Sequence, residues 1–227
     1  MTSPRPGAGS APPGPTPAGP RTGWGRCCAG WSTPGRATSA RTTCPPTTLG
    51  PRQSAVLVLL GQGPDGPEVV LQRRARRLRH HSGEISFPGG RADPGDADPA
   101  ATALREATEE TGLDPSGVDV VAMLPRLILL TGFHVTAVLG HWRTPTRLHA
   151  VDPAETDAVL HVPLAVLADP AHRFRLRAGG GVWRGPGFRV GDDVVWGFTG
   201  DVVDAVLRLG GWERPWPPGP ELEWESL

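Results

Sequence analysis

The sequence predicts a single mixed α+β domain, and three observations carry that prediction. Short β-type runs outnumber helical ones, they do not alternate regularly with helices, and an amphipathic helix with well-marked ends stands among them. Regular alternation would indicate a doubly wound parallel sheet; its absence predicts strands and helices packed as a sandwich. A chain of 227 residues has room for one domain of full size with a real core.

Residues 1–49 contain no acidic residue and no Val, Ile or Phe, so they cannot bury enough apolar surface to offset the entropy of ordering. A disordered Pro/Gly/Ala-rich tail is one expectation. Another is out-of-frame translation of GC-rich DNA: "GWGRCCAGWSTPGRATSARTTCPP" has the Trp, Cys, Arg and Pro bias of such frames. All 23 basic residues are Arg, and Lys, Asn and Tyr, whose codons are A/T-rich, are absent.

Order is expected from "SAVLVLL" (54–60), an apolar run followed by the turn "GQGPDGP" and then "EVVLQ" (68–72), hence strand, turn, strand. Further strands are expected at about 118–124, at "FHVTAVLGHW" (133–142), and around "AVLHVPL" (158–164). A last pair is expected at "HRFRLR" and "VVWGF", separated by a Gly-rich stretch. Two helices stand out, 99–111 and about 200–209, where Val202, Val206 and Leu209 share a face. The domain is thus placed at 50–212. Residues 213–227 form a Trp/Pro-rich C-terminal tail that either packs back on the domain or joins a dimer interface, leaving monomer and homodimer both open.

Acidic and basic residues balance to zero net charge, so the molecule is not built to coat nucleic acid or an anionic membrane. No apolar run approaches the ~18 to 20 residues that span a bilayer, and the N-terminus lacks the apolar core of a signal peptide. A cytoplasmic protein is expected. Cys27, Cys28 and Cys44, odd in number and without metal-ligand spacing, suit a reducing compartment.

The helix at 99–111 has Asp98 placed as N-cap, Pro99 at its first position and Gly112 as its stop. At about 100° per residue, Ala100, Leu104, Ala107 and Thr111 share one side, while Glu106, Glu109 and Glu110 lie together on another. Like charges at i and i+4, here Glu106 and Glu110, cost a few tenths of a kcal/mol, which a divalent cation would offset. Mg²⁺ takes hard oxygen ligands and keeps substrate phosphates in its shell. Arg105 is placed to orient one of these carboxylates. For a bare E-x-x-E-E, a solvated helix face is the competing explanation.

Upstream, "GEISFPGG" (83–90) ends in Gly89 and Gly90, which let the main chain approach a ligand closely. "RRARRLRHH" (73–81) is dense in Arg, whose guanidinium groups suit phosphates; a solvated basic strand end is the alternative, and without interleaved aromatics a nucleic-acid patch is a weak third. The apolar "LPRLILLTGF" (124–133) reads as a buried strand or as a pocket lining.

Taken together, "GGRADPGDADPAATALREATEETGL" resembles the Nudix box, the loop-helix-loop signature of hydrolases that cleave a nucleoside diphosphate linked to another moiety. The matching elements are Gly90, Arg105, Glu106, Glu109, Glu110, Gly112 and Leu113. Asp96 stands six after Gly90 where the usual motif has Glu, but the loop from there to Arg105 is one residue longer. A second pattern just upstream, Arg74-Ala75, Arg79, Gly83 and Phe87 to Gly90, resembles that of the coenzyme A pyrophosphatase branch.

The resemblance implies an α/β/α sandwich with a mixed central sheet and Mg²⁺- or Mn²⁺-dependent hydrolysis of the diphosphate of CoA or acyl-CoA. The products would be 3',5'-ADP and (acyl-)phosphopantetheine. It implies Glu106, Glu109 and Glu110 as metal ligands, Glu109, Glu110 and Arg105 as catalytic groups, and Arg74, Arg79, Gly89 and Gly90 as substrate contacts. Glu155, in "DPAETDAV", is the candidate general base, or an ordinary turn carboxylate. Hydrolysis of ADP-ribose, NADH or another nucleoside diphosphate derivative is the alternative chemistry. A catalytically silent nucleotide-binding regulator is the alternative of another class.

Overall fold

The computed structural model describes residues 52–129, 132–217 and 221–224. The expected N-terminal tail lies outside them. Two antiparallel strands, β1 (Arg52–Gly63) and β2 (Gly66–Arg74), are followed by two short ones, β3 (Ile85–Ser86) and β4 (Gly89–Arg91), and then by helix α1 (Pro99–Thr111). Strands β5 (Val118–Met123), β6 (Leu127–Ile128), β7 (Phe133–Trp142) and β8 (Thr156–Pro163) complete the main sheet. After the short helix α2 (Leu164–Ala168) come β9 (Arg173–Ala178), β10 (Trp183–Val190), β11 (Asp193–Val195), helix α3 (Gly197–Gly210) and β12 (Glu221–Glu223).

The main sheet runs β3-β2-β1-β7-β5, with β4 and β6 joined to its flanks and β8 beside β2. It is mixed: β1 and β7 run parallel, the other pairs antiparallel. The apolar run of β1 is continuous because both of its faces are covered. Leu57 and Leu59 face Ala103 and Ala107 of α1, while Val58 and Leu60 face Val202, Val203, Val206 and Leu207 of α3. Helix, sheet and helix therefore form the three layers expected of the fold. Each fully buried Val or Leu stabilises the packing by ~1.5–3 kcal/mol.

α1 has the ends its sequence predicts. The Asp98 side chain accepts from Ala101 N–H at 2.8 Å, and Gly112 closes the helix in the left-handed conformation with its N–H on the Thr108 carbonyl. Its packing face is rotated from the expected one: Thr102, Ala103, Ala107, Glu110 and Thr111 are buried, while Ala100 and Leu104 are only half-buried. The rotation takes Glu110 out of the solvated face and into the interior.

Other expectations are corrected. "VVWGF" is not the partner of 173–178: it contributes only the end of β11, and α3 begins at Gly197. The partner is β10, whose Gly185, Pro186 and Gly187 gave it the look of a turn. Gly187 stands opposite Phe174, where a Cβ would fall 2.5 Å from that ring, so the strand needs glycine to accommodate the aromatic. In 124–133, β6 has only two residues and both are exposed, Ile128 at 61%, so the buried-strand reading of that segment fails. The helix at 200–209 begins three residues earlier, and Leu209 lies on its exposed side.

The C-terminal residues pack on the domain. β12 pairs in parallel with β9, Trp224 stacks on Trp196 with ring centres 4.4 Å apart, and Trp216 covers the guanidinium of Arg173 at 4.6 Å. Among the described residues no helix is long and apolar enough to cross a membrane.

Candidate active site

β4 takes the place beside the first half of β1 that β2 holds beside the second. A fork opens between them, and α1 lays its glutamates over it. Gly89 makes this possible: its φ is 152°, and a Cβ there would stand 2.4 Å from the Ala55 carbonyl oxygen. The Pro88 carbonyl accepts from Leu57 N–H at 2.8 Å, which pins the loop to β1.

Glu110 is 8% exposed. Its Oε2 accepts from Gly89 N–H and from Gln72 Nε2, both at 2.8 Å. Burial pushes its pKa up to about 7; the two hydrogen bonds oppose the shift, and the charge of Glu106 adds to it. Glu106 is also raised, by desolvation first, against the pull of Arg105. It lies against Gly90, where a Cβ would come within 2.5 Å of its carboxylate carbon, so this glycine leaves the space that the carboxylate occupies. Glu109 is exposed.

Arg105 joins loop and helix. It donates to Asp96 through Nε and Nη2, both at 3.1 Å, to Glu106 at 3.1 Å, to Glu109 at 3.0 Å, and to the Arg91 carbonyl at 2.9 Å. Asp96 also accepts from Thr102 Oγ1 and Asp93 N–H at 2.9 Å. The arginine holds the Asp96 carboxyl well below the usual carboxylate range. In the longer loop, Asp96 thus clasps Arg105 and closes the turn onto α1.

The other sequence-predicted residues are spread around this cluster. Arg74 lies close enough for its charge to act on Glu110, and its Nε is buried without a hydrogen-bond partner. Arg79 is exposed on the following loop. That loop is fastened to residues 152–157: Ala75 N–H donates to the Glu155 carbonyl at 2.8 Å, Arg76 N–H to Asp157 at 3.1 Å, and the Arg77 side chain to the Pro153 carbonyl. Arg73 instead faces the other layer and pairs with Asp193. The side chain of Glu155 is exposed, and its main chain is what ties it to the arginine loop. Sequence reasoning missed Gln72 and Thr156, both buried; the one available signal was an amide in an otherwise apolar strand.

Among the described residues, no three His, Cys, Asp or Glu side chains are grouped so as to hold a metal ion, and Glu106 and Glu109 are both paired with Arg105. The donor chemistry nevertheless fits a hard cation: Glu106 and Glu110 are desolvated carboxylates with raised pKa, a state that a bound divalent ion relieves. A separate cavity of about 300 Å³ opens at the N-terminal end of α1, lined by Gln53, Ser54, Asp96, Thr102 and Arg126. Arg126 thus brings the 124–133 segment to a cavity edge.

A family model described as NUDIX domain matches residues 51–177. Nudix hydrolase 15, mitochondrial, of Arabidopsis thaliana is 37% identical over 177 residues, which are 73% of this chain and 60% of that protein. The uncharacterized Nudix hydrolase NudL of Escherichia coli K12 is 36% identical over 168 residues, 71% of this chain and 85% of that protein. The chain spans 60% of the first of these relatives and 53% of Nudix hydrolase 22, chloroplastic, also of Arabidopsis. A solved Nudix hydrolase from M. smegmatis, RenU, superposes with a TM-score of 0.44 at 23% identity, over 52% of this chain and 74% of that one. By the match of its β1-to-β9 region and by its relatives, this chain belongs to the Nudix family.

Proposed function

We propose that the protein is a divalent-metal-dependent pyrophosphohydrolase that cleaves the diphosphate of coenzyme A or an acyl-CoA to 3',5'-ADP and (acyl-)phosphopantetheine. The observation that carries this reading is the pair of desolvated carboxylates, Glu106 and Glu110, set by α1 against the Gly89–Gly90 turn. Glu106, Glu110 and, once released by Arg105, Glu109 would hold Mg²⁺ or Mn²⁺. When bound, such an ion polarises phosphoryl oxygens and lowers the pKa of an attacking water. Arg74, with its unpartnered Nε, and Arg79, exposed on the loop that follows, supply guanidinium groups for the diphosphate and the 3'-phosphate. Arg105 orients the carboxylates, the Gly89 and Gly90 main chain lies against the substrate, and Glu155 serves as general base from the loop that anchors Ala75. The arginine pattern from Arg74 to Gly90 supports CoA over ADP-ribose or NADH, and the reaction is assigned to the cytoplasm.

The test is Mg²⁺- and Mn²⁺-dependent turnover of CoA, acetyl-CoA, ADP-ribose and NADH, with Glu110→Gln as control. Release of 3',5'-ADP from CoA species, lost in the variant, is the expected result. Activity confined to ADP-ribose or NADH would discard the CoA assignment, and metal-dependent nucleotide binding without turnover would make the protein a regulator.

A further inference from the structure

Glu110 is oriented by more than the helix that bears it. Its Oε2 sits between Gly89 N–H and Gln72 Nε2, and Gln72 is itself held, since its Oε1 accepts from the Thr156 hydroxyl at 3.1 Å. Gln72 is 0% and Thr156 1% exposed, so the chain Thr156, Gln72, Glu110 runs through the interior without access for water to replace a lost link. The direction of the amide follows from chemistry. A carboxylate that ligates a cation is ionised and only accepts, so Nε2 must face Glu110, which leaves the Gln72 Oε1 needing a donor. Thr156 is that donor. A flipped amide would set oxygen against oxygen.

The pairing of β2 with β8 shows how Thr156 reaches this place. Gln72 stands opposite Val159 and Arg73 opposite Ala158, but Arg74 stands opposite Thr156, because the register slips by one residue at Asp157. Side chains alternate along a strand, so a regular register would have set Asp157 on the α1 side and turned Thr156 away. The bulge re-aims Thr156 toward Gln72. The segment leading to it also holds the end of α1: Val151 N–H donates to the Glu110 carbonyl at 3.1 Å and His149 N–H to the Thr111 carbonyl at 3.0 Å. The stretch 149–156 thus holds the main chain of Glu110 directly and supports its carboxylate through Gln72.

We infer that Gln72 and Thr156 are positioning residues for the metal-dependent reaction: they lock the Glu110 carboxylate with Oε2 engaged and Oε1 left for a cation. This rests on the proposed role of Glu110 as a metal ligand. Partners that orient a ligating carboxylate are worth ~10–100-fold in metal affinity or activity.

The experiment is calorimetric titration of the full chain with Mn²⁺ alone, in wild type, Thr156→Val, Thr156→Ser and Gln72→Leu, with kcat and KM measured on the nucleotide that the wild type turns over. Thr156→Val keeps the shape and removes the donor. The expected result is a Mn²⁺ Kd about tenfold weaker and a kcat about tenfold lower, with KM within about twofold. Thr156→Ser, which keeps the hydroxyl, restores both, and Gln72→Leu falls further than Thr156→Val. Thermal melting confirms that each variant is folded. A merely structural role would lower the melting temperature without moving Kd, and Thr156→Val with wild-type Kd and kcat would overturn the inference. If the wild type binds Mn²⁺ yet hydrolyses nothing, the hydrolase reading fails while the Kd comparison still decides this one. No Mn²⁺ binding by the wild type overturns both.

Discussion

Replacing Glu110 by Gln removes a charge that the metal-free fold carries at a cost. Burial raises the folded-state pKa of Glu110 from 4.5 to about 7. At ~1.4 kcal/mol per pKa unit, ionising this group inside the fold costs about 3 kcal/mol relative to the unfolded chain. Because the folded value lies above the unfolded one, the contribution of Glu110 to stability is fully present below the unfolded pKa and is lost as pH rises through the folded pKa. Glutamine has no such dependence, and its side-chain oxygen still accepts from Gly89 N–H and Gln72. Urea denaturation in the presence of chelator should therefore find Glu110→Gln close to wild type below about pH 4.5 and more stable by up to about 3 kcal/mol near pH 8. Saturating Mg²⁺ should narrow the difference by stabilising the wild type alone. A variant no more stable than wild type near pH 8, or a gap that does not change with pH, would refute the view that desolvation of this carboxylate is what the cation relieves.

Gly90→Ala should lower kcat by about two orders of magnitude with little change in melting temperature, since the atoms nearest the new Cβ are those of the movable Glu106 carboxylate, 2.5 Å away at its carbon. Gly89→Ala should instead destabilise by about 3 kcal/mol or more in urea, because its φ of 152° and the main-chain atoms of Ala55 and Val56 leave the Cβ nowhere to go. Deleting residues 213–227 strips Trp216 from Arg173 and Trp224 from Trp196. With such contacts worth ~0.5–2 kcal/mol each, scanning calorimetry should show the melting temperature falling by about 5–10 °C, while activity at low temperature stays.

What was legible in the sequence is what neighbouring residues decide among themselves. Asp98, Pro99 and Gly112 bound α1 because capping is a contact within a few residues, and the structure has those caps. The run 54–60 read as a strand from its apolar residues, and the structure shows why the run is unbroken: both of its faces are buried. The residues 105–110 were picked out by their place in a longer signature that includes Gly90 and Gly112, since their spacing alone also suits a solvated helix face. Long-range placement was not. β10 hid its strand character because the glycine it needs opposite Phe174 reads locally as a turn. The burial of Glu110, the clasp of Asp96 on Arg105 and the line from Thr156 through Gln72 join positions up to 84 residues apart, and one of them depends on a single-residue slip between β2 and β8. The sequence by itself determined which carboxylates this protein has and where its helix begins and ends. Only the tertiary structure decided which of them is desolvated and what holds it, because burial and hydrogen-bond partners belong to surfaces brought together by folding.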